Sequence, residues 1–361
     1  IDDQSLDLNG IETFTFNTAT TSAVTQTIDD IDLTGVSTGG TAKVIFTGSN
    51  AITFKSGSIV SANELDFSAV TGVVTMDTAM EYIGASGSGT LKGGSKGDTL
   101  KGDTGEAMTI EGGAGNDDIT GGSAVDTINA GAGNDTINAS TGKDVIDGGA
   151  GKDTINLGNA LQTIDGGAGD DTITLTAGGK DNVKGGAGKD KFVFGATLTK
   201  DDVVDGGDGV DTLSVTTLTA ANLAGVTNVE TLAFTGTATL TKDLSFDTID
   251  LTDGSVADKV TFSTGYTKAT TVKVEAGDTA VNSAKISMAV TGNAANFESA
   301  DSTTVTGSSS TTNDSLTITA SGADTADTVA TSGLITNVNT ITVVDAGDAT
   351  TGSTGLSGSD F

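Results

Sequence analysis

Asp117, Asp135, Asp153 and Asp171 stand 18 residues apart, and each closes a glycine-rich turn such as Gly148-Gly149-Ala150-Gly151-Lys152-Asp153. They are alternate members of a nine-residue pattern, Gly-Gly-x-Gly-x-Asp-x-(Ile/Leu)-x, that keeps its phase over 112–174. Carboxylates recurring beside glycine backbone offer hard oxygen ligands from side chain and main chain together. Such donors suit calcium, which takes roughly 6–8 oxygens at about 2.4 Å. Magnesium demands shorter and stricter octahedral bonds, and zinc favours nitrogen or sulfur ligands. The chain has no His and no Cys to supply those.

The elements that position these aspartates follow from the repeat. Units start at 112, 121, 130, 139, 148, 157 and 166, and their sixth positions hold Asp117, Asp126, Asp135, Asp144, Asp153, Gln162 and Asp171. Their eighth positions hold Ile119, Ile128, Ile137, Ile146, Ile155, Ile164 and Ile173. A short strand with the isoleucine as its single inward side chain, then a turn that glycine enters cheaply in left-handed conformations, makes half a flattened coil. Two units complete the coil, and coils stack as parallel strands about 4.8 Å apart. An ion midway between stacked Asp side chains then finds an oxygen on either side, with carbonyls of the glycine turns completing its shell. Odd and even units form two opposite edges, one with Asp117, Asp135, Asp153 and Asp171, the other with Asp126 and Asp144 before it meets Gln162. That residue lies in an eroded unit, Leu157-Gly158-Asn159-Ala160-Leu161-Gln162, and predicts a weak or empty site.

The series loosens at both ends. Upstream, Gly93-Gly94-Ser95-Lys96-Gly97-Asp98 fits with a departure at Lys96, and Ala107 stands in the place of the next Asp. Downstream, Asp181, Asp190, Asp202 and Asp211 continue through insertions near 175–184 and 194–205, with Phe192 and Leu213 in place of the isoleucines. Outside the repeat the chain reads as short Thr-rich strands of period two, such as Lys43-Val44-Ile45-Phe46, Thr231-Leu232-Ala233-Phe234 and Thr340-Ile341-Thr342-Val343-Val344. No helical period holds for three turns. The expected organisation is a Thr-rich β segment over 1–90, a calcium-binding roll over 91–214, and a second Thr-rich β segment over 215–361, divisible into two subdomains. The fold class is all-β: a central parallel β-roll flanked by β-solenoid or β-sandwich segments. The flanks share a phrase, Gly10-Ile11-Glu12-Thr13-Phe14 matching Asn228-Val229-Glu230-Thr231-Leu232.

Composition narrows the partners. Against 17 lysines stand 48 acidic residues, a net charge of -31 that disfavours nucleic acid and anionic membranes and opposes compaction unless counterions bind. No run resembles a membrane-spanning helix or a signal peptide, and the opening at Ile1 without Met is expected of a processed product or a fragment. Without His or Cys, zinc-protease, Ser-His-Asp and Cys-His chemistry are all closed. Paired carboxylates that cleave glycosides are formally open. Among 48 acids, chance pairs carry little meaning. Tyr82 and Tyr266 read as packing residues at strand edges.

The repeat resembles the RTX (repeats-in-toxin) calcium-binding family over 112–211, and the Thr/Gly/Ala-rich flanks are similar to bacterial RTX surface-layer proteins. The resemblance implies export by type I secretion from Gram-negative bacteria and folding outside the cell on several calcium ions. It implies side-chain ligands at Asp117, Asp126, Asp135, Asp144, Asp153 and Asp171, and further out at Asp98, Asp181, Asp190, Asp202 and Asp211. Backbone ligands are implied in the turns of Gly112, Gly113, Gly115, Gly131, Gly133, Gly148, Gly149, Gly151, Gly166, Gly167, Gly169, Gly185, Gly186 and Gly188. Ala107 and Gln162 depart from the pattern and are not ligands. The expected role is structural and non-enzymatic: identical subunits assembling in a lattice at the bacterial cell surface, with cell-surface polysaccharide held through a missing region. A fragment of an RTX adhesin is the alternative. The family's secretion signal is C-terminal, and the ending Leu356-Ser357-Gly358-Ser359-Asp360-Phe361 is too short and plain to be one.

Overall fold

A computed structural model describes residues 13–18, 25–28, 42–55, 61–77, 79, 81–82, 88–139, 141–158, 161–216, 218–234, 237–240 and 246–251, and the backbone of strands at 259–262, 270–274, 285–288, 295–298, 315–320 and 340–345. Gly10, Ile11, Glu12, Tyr266 and the ending 356–361 lie outside the described residues, as does the side chain of Tyr82. The chain divides into two compact units, 1–192 with 202–209, and 193–201 with 210–361.

In the first unit short strands alternate between two parallel sheets. One sheet runs through Thr13–Asn17, Lys43–Gly48, Glu64–Val70, Ser88–Lys92, Ala107–Ala114, Thr127–Ala132, Val145–Asp147, Thr163–Ala168, Asn182–Gly188 and Val203–Gly209. The other runs through Gln26–Ile28, Ile52–Phe54, Val74–Met76, Thr99–Lys101, Asp118–Thr120, Thr136–Ala139, Thr154–Leu157 and Thr172–Leu175. Parallel pairing with about 18 residues per coil is the β-solenoid expected of the repeat. In the repeat the register is strict: Ile119, Ile137, Ile155 and Ile173 are cross-strand partners, as are Ile110, Ile128, Ile146 and Ile164. Every one of these isoleucines is buried.

The isoleucine is not the only inward side chain, as the repeat alone had suggested. In the four-residue strands the next inward place belongs to the first residue of the following unit, and Ala139, Leu157 and Leu175 are buried there. Leu157, in the eroded unit, therefore replaces a glycine with a core residue. Towards the start of the unit the same coils carry aromatic packing instead. Phe46 stacks on Phe16 and Phe67 with centroids at 5.0 and 4.8 Å, and Phe54 meets Phe46 and Phe67 edge-on at 5.9 Å.

The second unit is also parallel. Thr212–Val215 pairs with Thr231–Phe234, which pairs with Thr248–Leu251, and the backbone order continues to Thr340–Asp345. A further sheet joins Thr237–Leu240, Lys259–Phe262 and Lys285–Met288. Thr212, Thr231, Thr248 and Thr271 share one register position although the coils between them differ in length. Constant strand register with variable loops explains why no fixed period is visible there. Phe192 in the first unit and Leu213 in the second are both fully buried, so each takes the isoleucine's inward place.

Candidate metal centre

Each repeat Asp sits at the turn between the two sheets, where its backbone already belongs to the inter-coil ladder. The carbonyls of Asp117, Asp135 and Asp153 accept the N–H groups of Thr136, Thr154 and Thr172 in the next coil at 2.7–2.8 Å. Their own N–H groups point the same way and donate to a side chain. Asp117 donates to Asp135 Oδ1 at 2.7 Å, Asp135 to Asp153 Oδ1 at 2.8 Å, and Asp153 to Asp171 Oδ1 at 2.8 Å. Asp98 precedes them, donating to Asp117 Oδ1, and Asp171 donates to Asp190 Oδ1.

The opposite edge is built alike. Met108 and Asp126 donate to Asp126 Oδ1 and Asp144 Oδ1 respectively, both at 2.8 Å, and Asp181 donates to Asp202 Oδ1 at 2.9 Å. Between them Gln162 is a full rung: its Oε1 accepts the Asp144 N–H at 3.0 Å and its N–H donates to Asp181 Oδ1 at 2.9 Å. Met108, not Ala107, stands in register with Asp126. The coil joining Asp98 to Asp117 is 19 residues long, so the count that reached Ala107 was one short.

These aspartates are buried, and the second carboxylate oxygen of Asp117, Asp126, Asp135, Asp144, Asp153 and Asp171 has no hydrogen-bond partner. A buried anionic oxygen left bare costs the desolvation of a charge, so its neighbourhood calls for a cation. Burial is the main force that pushes the carboxyls of Asp117 and Asp171 up to about 7 and those of Asp126 and Asp153 to about 6. Charge on stacked neighbours adds to it, Asp135 on Asp117 and Asp144 on Asp126. Asp98, Asp135, Asp144 and Asp181 are raised as well, again by burial first.

The glycines keep this space open. A Cβ on Gly112 would lie 2.6 Å from Asp117 Oδ2 and against the Ala130 carbonyl, so a side chain there would fill the ground between carboxylate and turn carbonyl. Gly151 adopts φ +132°, and a Cβ would run into the Gly133 carbonyl of the preceding coil. Carboxylate oxygen, turn carbonyls and a cradle that any larger residue would fill are the donor set calcium takes. Among the described residues no group of three or more His, Cys, Asp or Glu side chains converges, so backbone oxygens must make up most of any shell.

The structure alters the sequence picture in three places. One oxygen of each of Asp117, Asp135, Asp153 and Asp171 accepts an N–H of the neighbouring coil, and the other is the one without a hydrogen-bond partner. Asp98 differs from its neighbours in that each of its oxygens accepts an N–H, from Val74 and Gly94 at 2.7 Å each. Glu230, in the second unit, accepts the Asp211 N–H at 2.9 Å and so takes the rung's acceptor role with a longer side chain. Its signal in the sequence is the phrase Asn228-Val229-Glu230, which places Glu230 19 residues after Asp211. A second ladder also escaped the sequence reading. At the fifth repeat position Asn116 Oδ1 accepts Asn134 N–H, and Asn134 Oδ1 accepts Lys152 N–H, at 2.9 and 2.8 Å.

A family model for the RTX calcium-binding nonapeptide repeat matches the chain in four stretches, 109–137, 129–159, 163–179 and 197–215. The repeat is thus present over part of the chain, and the described strands form the parallel, Thr-rich β-solenoid that goes with it. No curated protein and no solved structure matches the chain. The matched family is a structural calcium-binding repeat, in keeping with a non-enzymatic chain. Among the described residues no helix is long and apolar enough to cross a membrane.

Proposed function

We propose that this chain is a structural protein of a bacterial cell surface that folds on binding calcium outside the cell and self-assembles with identical copies into a surface layer. The observation that carries the reading is the row of buried carboxylate oxygens without hydrogen-bond partners along both edges of the repeat. Asp117, Asp126, Asp135, Asp144, Asp153 and Asp171 would hold the ions, with Asp181, Asp190, Asp202 and Asp211 continuing the series. Carbonyls of the turns at Gly112–Gly115, Gly131–Gly133, Gly148–Gly151, Gly166–Gly169 and Gly185–Gly188 complete the shells. Bound calcium supplies the positive charge that these edges lack. The segment 91–214 is the calcium-loaded part, and 1–90 and 215–361 are the flanks that meet other copies.

Two features support assembly. A net charge of -31 opposes close packing of like chains, and each calcium offsets two units of it. Thr340–Asp345 ends the described strand order of the second unit, and a terminal strand offers its ladder groups to another chain. A cell-surface polysaccharide, held through a region outside this sequence, is the proposed anchor. Light scattering across calcium concentration tests the reading, with electron microscopy of the product. Folded monomers at low calcium and two-dimensional arrays at several millimolar are expected. Isolated rods at every concentration would favour an RTX adhesin, and a chain whose order ignores calcium would remove both.

A further inference from the structure

Gln162 is 2% exposed and makes the same two ladder bonds as the aspartates above and below it. What differs is its second polar atom. Asp144, on the rung before it, has a bare oxygen there, as do Asp117, Asp126, Asp135, Asp153 and Asp171, whereas Gln162 has an amide nitrogen, and Nε2 donates to the Gly142 carbonyl at 2.8 Å. Gly142 is the fourth residue of its turn, the place that Gly133 and Gly151 hold in theirs. A rung needs one atom that accepts the neighbouring coil's N–H and one source of positive charge for the turn carbonyl. A primary amide supplies an acceptor and a donor on adjacent atoms without adding net charge, and does so at any pH near neutral.

We infer that Gln162 is a hydrogen-bonding substitute for one calcium ion, a metal-free rung that holds its coil in register with no cation. The inference rests on the calcium reading above. It follows that the second edge carries two separate calcium-bearing stretches, one at Asp126 and Asp144 and one at Asp181 and Asp202. At the rung between them there is no anion to attract an ion, and the Gly142 carbonyl is already taken by the amide.

The test is a count of calcium ions on the full chain by calorimetric titration and native mass spectrometry. Gln162→Asp restores an anion and frees the Gly142 carbonyl, and is expected to bind one ion more per chain than the parent. Gln162→Ala removes the amide but no ligand, and is expected to bind the same number, with faster amide exchange at Asp144 in chelator. An aspartate variant that gains no ion while the parent binds several would overturn the inference alone. So would an alanine variant that loses one, since Gln162 would then be a ligand of an ordinary site. The alanine count decides independently of how well the aspartate variant folds. A parent chain that binds no calcium at all overturns the proposed function and this inference together.

Discussion

The coils of 42–76 and those of 112–174 belong to the same two sheets and use the same strand–turn geometry, yet they are held by opposite means. In the earlier coils the interior is aromatic: Phe46, Phe54 and Phe67 are fully buried and in mutual contact. Two of their turns are closed by neutral amides. Asn63 Oδ1 accepts the Ala42 N–H at 2.6 Å, and Asn50 Nδ2 donates to the Thr18 carbonyl. Lys43 ties strands together by pairing with Glu64 at 2.8 Å and Asp66 at 3.1 Å. In the later coils the interior is a column of isoleucines, thinner per strand, and the turns are closed by buried carboxylates. A neutral amide satisfies a turn outright. A carboxylate satisfies half of it and leaves an anionic oxygen that water no longer reaches. On the calcium reading proposed above, the second kind of turn waits for an ion, and Gln162 sets the amide solution of the earlier coils among the carboxylates.

Removing calcium should break this comparison open. With a chelator at neutral pH, amide exchange over 112–174 is expected to approach that of unfolded chain, while 42–76 stays protected. Loss of protection in both stretches together would mean that the aromatic coils borrow their stability from the ions. The next largest effect is expected at the aromatic side. Phe46→Ala should cost about 3–5 kcal/mol, the range for emptying a buried aromatic site. Measured by urea unfolding followed at the aromatic coils, that loss should be the same with and without calcium. A loss that doubles in chelator would argue against separate means of support.

Asp153→Asn sharpens the point because its sign should depend on calcium. Asparagine keeps Oδ1 as the acceptor for the Asp135 N–H and turns the bare oxygen into a donor. In calcium the variant loses a charged ligand, and about 1–3 kcal/mol of stability should go with it. In chelator it removes a buried, uncompensated charge, and 112–174 should be more protected than in the parent. Gln162→Ala should cost less in calcium than Asp153→Asn. If asparagine destabilises equally in both conditions, the carboxylate acts through its hydrogen bond and not through a metal.

The sequence made the repeat's phase, the two edges and the isoleucine columns legible, because a fixed period of nine leaves one side chain per place. It did not show which carboxylate oxygen is spent on the neighbouring coil, since that depends on the direction of the Asp N–H. Ala107 was mistaken for Met108 because one inserted residue moves every later position without changing residue type. Glu230 stayed hidden because a rung acceptor with a longer side chain breaks the expected motif while keeping its hydrogen bond. The early coils were visible only as strands, because Phe, Thr and Asn meet the same geometric needs at irregular spacing. Register, which one loop residue can shift, is where period counting gives out.

The smallest and most specific effect is expected from pH, acting only on the carboxylate edges. The Asp117 and Asp171 carboxyls stand at about 7 in the folded chain and those of Asp126 and Asp153 at about 6, against 3.8 for an ordinary Asp. A carboxyl whose folded value is raised makes the metal-free fold bind more protons than the unfolded chain does, so stability falls as pH rises. The protonated advantage is complete below the unfolded value of 3.8 and is lost as pH climbs through about 6–7. In chelator, amides of 112–174 should therefore be better protected at about pH 5 than at about pH 7.5. Calcium affinity should move the other way, weakening towards about pH 5 as protons compete for the same oxygens. The described residues of 42–73 hold no raised carboxyl, and their buried Asp66 is lowered, so exchange there, corrected for its intrinsic pH dependence, serves as the internal reference. If chelated protein shows no difference between the two pH values over 112–174 relative to that reference, the carboxylates are not the buried charges that make this half of the solenoid wait for calcium.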